Sequence, residues 1–248
     1  MHRFYLSREE WQGNRLTLTG SEAHHALHVL RVACDEEVTV LDGAGQQVLA
    51  AVREMTRASV QLEVLRRTQS PPPSCEITLL QAIPKGRIIE DIIQKATELG
   101  VHRIVPLLSE HVVMRLDSEG VAAKAEKWQQ VAIEAVKQCG QVWLPKVESP
   151  RTFKDYLSTG ERFELALIGA LHGGAQPPRT CFDQFRRQHS RLPQTVALWI
   201  GPEGDFTPGE IAAAKEAGAR PITMGDLILR VETAAIYGLS LIRYESLG

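Results

Sequence analysis

The stretch Thr195-Val-Ala-Leu-Trp-Ile200, running into Gly201-Pro202-Glu203-Gly204-Asp205-Phe206 and then Thr207-Pro208-Gly209-Glu210, decides the fold. Its first six residues carry no charge, as a strand buried on both faces requires. The last four read as a capping box with proline at the first helical position. A strand passing through a glycine-rich loop into a helix is the unit of a parallel α/β sheet. Such sheets bind ligands at the C-terminal ends of their strands, where residues without Cβ let main-chain groups approach closely. The loop is neither G-x-G-x-x-G nor a P-loop, so dinucleotide and triphosphate readings lack their phosphate cradle.

The same arrangement recurs downstream. A strand from Pro221 to Met224 ends in Gly225-Asp226-Leu227-Ile228-Leu229-Arg230, immediately before Val231-Glu232-Thr233-Ala234-Ala235. Two such loops are expected to line one pocket. Leu227, Ile228 and Leu229 could equally be core, but Arg230 and Glu232 beside a buried loop need partners or solvent.

Working back toward the start, strands are expected at Glu76 to Gln81, Arg103 to Leu107 and Glu164 to Ile168. Helices are expected from Gly86 to Leu99, Val121 to Cys139, Thr207 to Ala217 and Val231 to Tyr244. Ser70-Pro71-Pro72-Pro73-Ser74 interrupts this rhythm, since consecutive prolines remove backbone donors and hold the chain extended. The chain therefore reads as residues 1–70, a proline-rich linker at 71–75, and an α/β domain at 76–248. Before the prolines the pattern is short strands, Glu37 to Leu41, Gln47 to Met55 and Ser59 to Arg66. Asp42-Gly43-Ala44-Gly45 supplies a hairpin, and a short helix capped by Ser21 runs to Leu30. A small β-barrel is expected there.

Composition narrows the function classes. The chain has 248 residues, 44% hydrophobic, with 28 basic against 30 acidic side chains. That is enough for a large core, and a near-neutral balance leaves any nucleic-acid binding to local patches. Glu9 and Glu10 stand where a signal peptide would need an apolar run, and no stretch is apolar enough to span a bilayer; the reading is cytoplasmic, with no membrane partner. Cys34, Cys75, Cys139 and Cys181 form no Cys-x-x-Cys pair and are expected to be reduced and mostly buried. His24, His25 and His28 have helical spacing but no acidic or thiol residue to complete a metal site, so no metal is expected.

Gly201-Pro202-Glu203-Gly204 together with Leu229-Arg230-Val231-Glu232-Thr233-Ala234 resembles the SPOUT methyltransferases. The nearest resemblance is to the ribosomal RNA small-subunit methyltransferase E family, which methylates N3 of a uridine in 16S ribosomal RNA from S-adenosylmethionine. Further matches are Arg3-Phe4-Tyr5, His28-Val29-Leu30-Arg31, Gln94 to Val101 with Pro106, and Glu134-Ala135-Val136-Lys137-Gln138. The resemblance implies a PUA-like RNA-binding barrel, then an α/β domain closed by a trefoil knot, assembled as a homodimer. It implies cofactor contacts at Ala170, Leu171, Ile200, Gly201, Pro202, Glu203, Gly204, Met224, Gly225, Ile228, Leu229 and Arg230. Four positions depart from the family pattern: Asp205 replaces a glycine, and Leu227, His111 and Gln141 replace arginines. Each lost arginine removes a potential phosphate contact.

Methyl transfer from a sulfonium is an in-line displacement, so positioning dominates, and uracil N3 must also lose its proton. Arg230 is the candidate for electrostatic stabilisation. Glu232 is the candidate base, or else a first-turn carboxylate serving the helix dipole. Arg3, Arg8 and Arg31 are the candidate RNA contacts, with Arg53, Arg57, Arg66 and Arg67 adding charge. The alternatives are a catalytically weakened RNA-binding protein of the same fold, a methyltransferase with another target nucleotide, and an α/β enzyme using a different nucleotide cofactor.

Overall fold

The structure, a computed structural model, describes residues 1–11, 13–112, 118–170 and 174–247. The chain forms two compact units, Met1–Pro72 with Ile133–Leu144, and Pro73–Ala132 with Pro145–Gly248. The first unit is thus discontinuous, which a single cut at the prolines does not express.

The first unit holds strands β1 (Arg3–Tyr5), β2 (Arg15–Leu18), β3 (Glu37–Leu41), β4 (Gln46–Met55) and β5 (Val60–Gln69), in the sheet order β1-β3-β4-β5-β2. β1 runs parallel to β3 and the other neighbours are antiparallel. The β3–β4 hairpin forms at the expected glycines: Gly43 and Gly45 have φ of 70° and 90°, and the Asp42 carboxylate accepts from the Ala44 and Gln46 amides. Along β5, Val60 and Leu62 are buried while Glu63 is exposed, as alternation predicts. β2 alternates as well, Arg15 and Thr17 exposed against Leu16 and Leu18 buried, a pattern the sequence reading did not include, whereas β1 is too short to show one.

Two local expectations change. The helix begins as α1 (Gly20–His24), continues as a π-helical turn at His25–Leu30, and has no side-chain cap from Ser21. Arg31 ends it in the left-handed region at φ 54°. The cysteines are all free, but only Cys75 and Cys181 are buried; Cys34 and Cys139 are exposed.

The second unit is built on β6 (Glu76–Ala82), α2 (Ile88–Glu98), β7 (Arg103–Leu108), α3 (Ser118–Cys139), β8 (Lys146–Val147), β9 (Arg151–Thr152), α4 (Phe153–Ser158), β10 (Leu165–Gly169), α5 (Pro178–His189), β11 (Thr195–Ile200), α6 (Pro208–Glu216), β12 (Ala219–Ile222) and α7 (Val231–Glu245). The sheet order is β12-β10-β11-β6-β7-β8, with β9 also on β7, and every pairing is parallel. One face packs Leu80, Val105, Ile168 and Trp199 against Phe153, Tyr156 and Phe206. The other carries α7 against β11 so closely that a Cβ on Gly238 would lie 2.9 Å from Leu198 Cδ2. Burial on both faces explains the nearly uncharged strands.

The sequence reading did not include α4 and α5, although both carry signals. Pro178, Cys181, Phe182 and Phe185 are buried at helical spacing after a first-turn proline. Thr152 caps α4 by accepting from the Asp155 amide at 3.0 Å. β12 ends at Ile222, two residues before the expected strand end, so Thr223 and Met224 lie in the loop.

Residues 133–144 are fastened within the first unit. The Arg3 guanidinium donates to the carbonyls of Lys137 and Gln138, at 3.3 and 3.0 Å, capping the end of α3. Lys137 Nζ lies 2.7 Å from Glu22 Oε1 and 2.9 Å from Glu134 Oε1, and Glu22 Oε2 accepts from the Tyr5 amide at 3.0 Å.

Candidate functional site

At the C-terminal ends of β10, β11 and β12 lies a cavity of about 880 Å³. Its lining includes Ala170, Ile200, Gly201, Pro202, Glu203, Met224, Gly225, Ile228, Leu229, Arg230 and Glu232. The two glycine loops, whose Gly201 and Gly225 are 24 positions apart in sequence, therefore share one pocket. The parallel register produces this, because β10 pairs with β11 on one side and β12 on the other, bringing three strand ends into line. Gly204 is not in the lining: its missing Cβ faces His111, 3.3 Å from Nδ1. Leu171 lies outside the described residues.

Each loop is held by its own hydrogen bonds. In the first, Asp205 stands in the left-handed region at φ 59°, which aspartate tolerates better than most side chains. Its Oδ1 accepts from the Phe206 amide at 2.7 Å, and its carbonyl accepts from His111 Nδ1 at 2.9 Å. Asp205 and His111 thus contact each other. Helix α6 follows with the expected capping box: Thr207 Oγ1 accepts from the Glu210 amide at 3.2 Å, and Glu210 Oε2 accepts from the Thr207 amide at 2.9 Å. Glu210 Oε1 also accepts from the Glu110 amide at 3.0 Å, tying the segment that bears His111 to the same helix start.

In the second loop, Thr223 Oγ1 accepts from the Gly225 amide at 3.2 Å, and Gly225 has φ 113°, a conformation that disfavours any side chain. Leu227 and Ile228 are 78% and 83% exposed, so they are cavity wall and surface rather than core. Arg230 is exposed at the start of α7, and Glu232 sits in the first turn of that helix. Among the described residues, the Arg230 guanidinium has no hydrogen-bond or ion-pair partner, so its charge is available to a ligand.

Two residues beside this site, Lys85 and Gln81, were given no role in the sequence reading. The Glu203 carboxylate accepts from the Lys85 amide at 2.9 Å, linking the first glycine loop to the β6–α2 connection. Gln81, fully buried at the end of β6, donates to the Ala82 carbonyl at 2.8 Å, while its Oε1 has no partner among the described residues. A lone amide ending the apolar run Ile77-Thr-Leu-Leu80 was the signal that could have found it.

The cavity suits a cationic adenosine-type ligand. Its volume is in the range of small-molecule sites. Its walls include Ile200, Met224, Ile228 and Leu229, and among the described residues the lining holds four acidic residues, Glu203, Asp205, Asp226 and Glu232, and one basic residue, Arg230. That balance favours a sulfonium over a polyphosphate.

The candidate RNA contacts lie in the first unit and differ among themselves. Arg8 and Arg31 are exposed. Arg3 is occupied as the cap of α3, Arg53 pairs with Asp35 and Glu63, and Arg67 bonds the Gly13 carbonyl and stacks over Trp11. Among the described residues no cluster of three or more His, Cys, Asp or Glu could hold a metal ion, and no helix is long and apolar enough to cross a membrane.

Comparison with known proteins agrees with this architecture. Residues 71–243 match the RNA methyltransferase domain family and residues 18–65 the RNA methyltransferase PUA domain. The chain is 31% identical over 244 residues to the ribosomal RNA small subunit methyltransferase E of Synechocystis, covering 96% of this chain and 76% of that protein. It is 27% identical over 252 residues to the Bacillus subtilis protein of the same name, covering 99% and 97%. Among solved structures, a Legionella pneumophila methyltransferase in complex with SAM superposes with a TM-score of 0.86 at 30% identity, covering 98% of this chain and 96% of that one. A ribosomal RNA small subunit methyltransferase E from Neisseria gonorrhoeae bound to S-adenosyl methionine gives 0.84 at 28%, covering 98% and 97%. With its parallel sheet, its PUA domain and its pocket at three adjoining strand ends, the chain belongs to the RNA methyltransferases of the ribosomal RNA small subunit methyltransferase E family.

Proposed function

We propose that this protein methylates N3 of a uridine in 16S ribosomal RNA of the small ribosomal subunit, in the cytoplasm, using S-adenosylmethionine bound in the cavity between the two glycine loops. The observation carrying this reading is the convergence of Ile200 to Glu203 and Met224 to Arg230 on one cavity. When bound, S-adenosylmethionine supplies an electrophilic methyl group. The residues of the chain hold, orient and shield. Ala170, the 200–203 backbone, Met224 and Gly225 surround the ligand, with Leu171 proposed beside them. Ile228 and Leu229 supply apolar wall beside the ligand. Arg230 stabilises negative charge on uracil as N3 loses its proton. Glu232 accepts that proton or holds the start of α7. The target base must leave its stack to reach the cavity, with Arg8 and Arg31 of the first unit contacting RNA phosphates.

The same resemblance implies a trefoil knot in the second unit and a homodimer. Exposed apolar side chains support the homodimer. Leu227 and Ile228 are largely solvent-facing, and Tyr237 and Tyr244, 44% and 74% exposed, lie seven residues apart on one side of α7.

The reading is tested by supplying isotope-labelled S-adenosylmethionine and small subunits from a strain lacking the modification. Label at uridine N3 is expected; tight RNA binding without label would favour a non-catalytic RNA-binding protein. Within this frame Arg230→Ala should lower kcat by about 100-fold, typical of losing one oxyanion-type donor, while the Kd for S-adenosylmethionine changes less than about threefold. Single-turnover rates and calorimetry separate the two, and an equal loss in both would remove the electrostatic role.

A further inference from the structure

The cavity poses an electrostatic problem for an RNA substrate. Among the described residues its lining includes four acidic residues and one basic residue, Arg230, and a phosphodiester approaching within a Debye length of about 8 Å would be repelled. The cations that answer this are in the β6–α2 connection. Lys85, Gly86 and Arg87 are exposed, the next residue, Ile88, lines the cavity, and the Lys85 amide is bonded to the Glu203 carboxylate on the cavity wall. Among the described residues neither the Lys85 ammonium nor the Arg87 guanidinium has a partner.

We propose that Lys85 and Arg87 form a phosphate clamp on the rim of the cavity, gripping the RNA backbone beside the target nucleotide, and that Glu203 is the positioning residue that sets it. The inference rests on the reading of the cavity as a methylation site. Its chemistry follows from the contacts. By accepting the Lys85 amide, the Glu203 carboxylate anchors the connection that carries both cations to the cavity wall. Gly86, at φ 70° with open space around it, turns the chain between the two cations. Phosphate contacts of this kind fix register rather than read sequence. They are suited to presenting an everted base to a pocket that itself repels the backbone.

The test is RNA binding as a function of salt, with unmodified small subunits as the probe. Each phosphate contact contributes roughly 0.7–0.9 to the slope of log K against log salt. The double variant Lys85→Gln, Arg87→Gln should therefore flatten that slope by about 1.5 and weaken RNA binding roughly tenfold or more at low salt. An unchanged slope overturns the clamp. Calorimetry with S-adenosylmethionine on the wild-type protein reports on the cavity separately. A flattened slope together with no cofactor uptake by the wild type would leave the clamp standing and overturn the methylation reading. Glu203→Ala should flatten the slope partway, and Glu203→Gln, whose amide oxygen can still accept from Lys85, should restore it. Equal loss in both overturns the positioning role.

Discussion

Gly201→Val is expected to abolish cofactor binding, weakening the Kd for S-adenosylmethionine by about 100-fold or more, while amides of residues 3–69 keep their hydrogen-exchange protection. The sequence suggested that this glycine leaves room for a ligand; the structure supplies a different and stronger reason. A Cβ on Gly201 would lie 2.7 Å from Asp205 Oδ1, 2.9 Å from the Phe206 amide and 3.1 Å from Asp205 Cα. Two of those obstacles are backbone atoms, so no rotamer change relieves them. To admit any side chain, the loop must give up the Asp205 to Phe206 hydrogen bond and shift the carbonyl that His111 holds. The cavity wall then opens. Overpacking of this kind costs about 1–3 kcal/mol, and 2.7 kcal/mol corresponds to roughly two orders of magnitude in affinity. Gly201→Ala carries the same Cβ and should fail in the same direction. Calorimetric titration decides it: a wild-type Kd in either variant would mean that the 201–205 loop is not part of the cofactor site.

The second large effect is expected in the first unit. Lys137→Met should destabilise it by about 3–5 kcal/mol, the usual cost of stripping one partner from a buried ion pair. Lys137 and Glu22 side chains are only 5% and 11% exposed. Removing the ammonium leaves the Glu22 carboxylate with the Tyr5 amide as its main donor. The double variant Glu22→Gln, Lys137→Met should recover most of the loss, because the amide oxygen still accepts from Tyr5 and no charge remains to be desolvated. Denaturant unfolding of the wild type, the two single variants Lys137→Met and Glu22→Gln, and the double variant gives the cycle directly. Additive losses in the double variant would show that the pair does not act as a unit. This also explains one stretch of the family resemblance. In Glu134-Ala-Val-Lys-Gln138 the lysine holds residues 133–144 in the first unit.

Some of this protein was determined by its sequence alone. Capping boxes, glycine turns and uncharged strands are local, so Thr207 to Glu210, the hairpin at residues 42–45 and the apolar run Thr195 to Ile200 could be read directly. The three prolines at 71–73 marked a boundary because they remove donors wherever they stand. Both glycine loops were legible for the same reason. Their meeting in one cavity depended on strand order, which no local pattern encodes. β12 lies beside β10 rather than β11 because of long-range packing. Only the tertiary structure revealed that Glu203 braces Lys85 across 118 positions, that Arg3 caps a helix more than 130 residues away, and that Asp205 and His111 are hydrogen-bonded neighbours. In each case a side chain's role is set by a partner distant in sequence. Charge or hydrogen-bonding capacity can be read from a residue type; what satisfies it is decided by the fold.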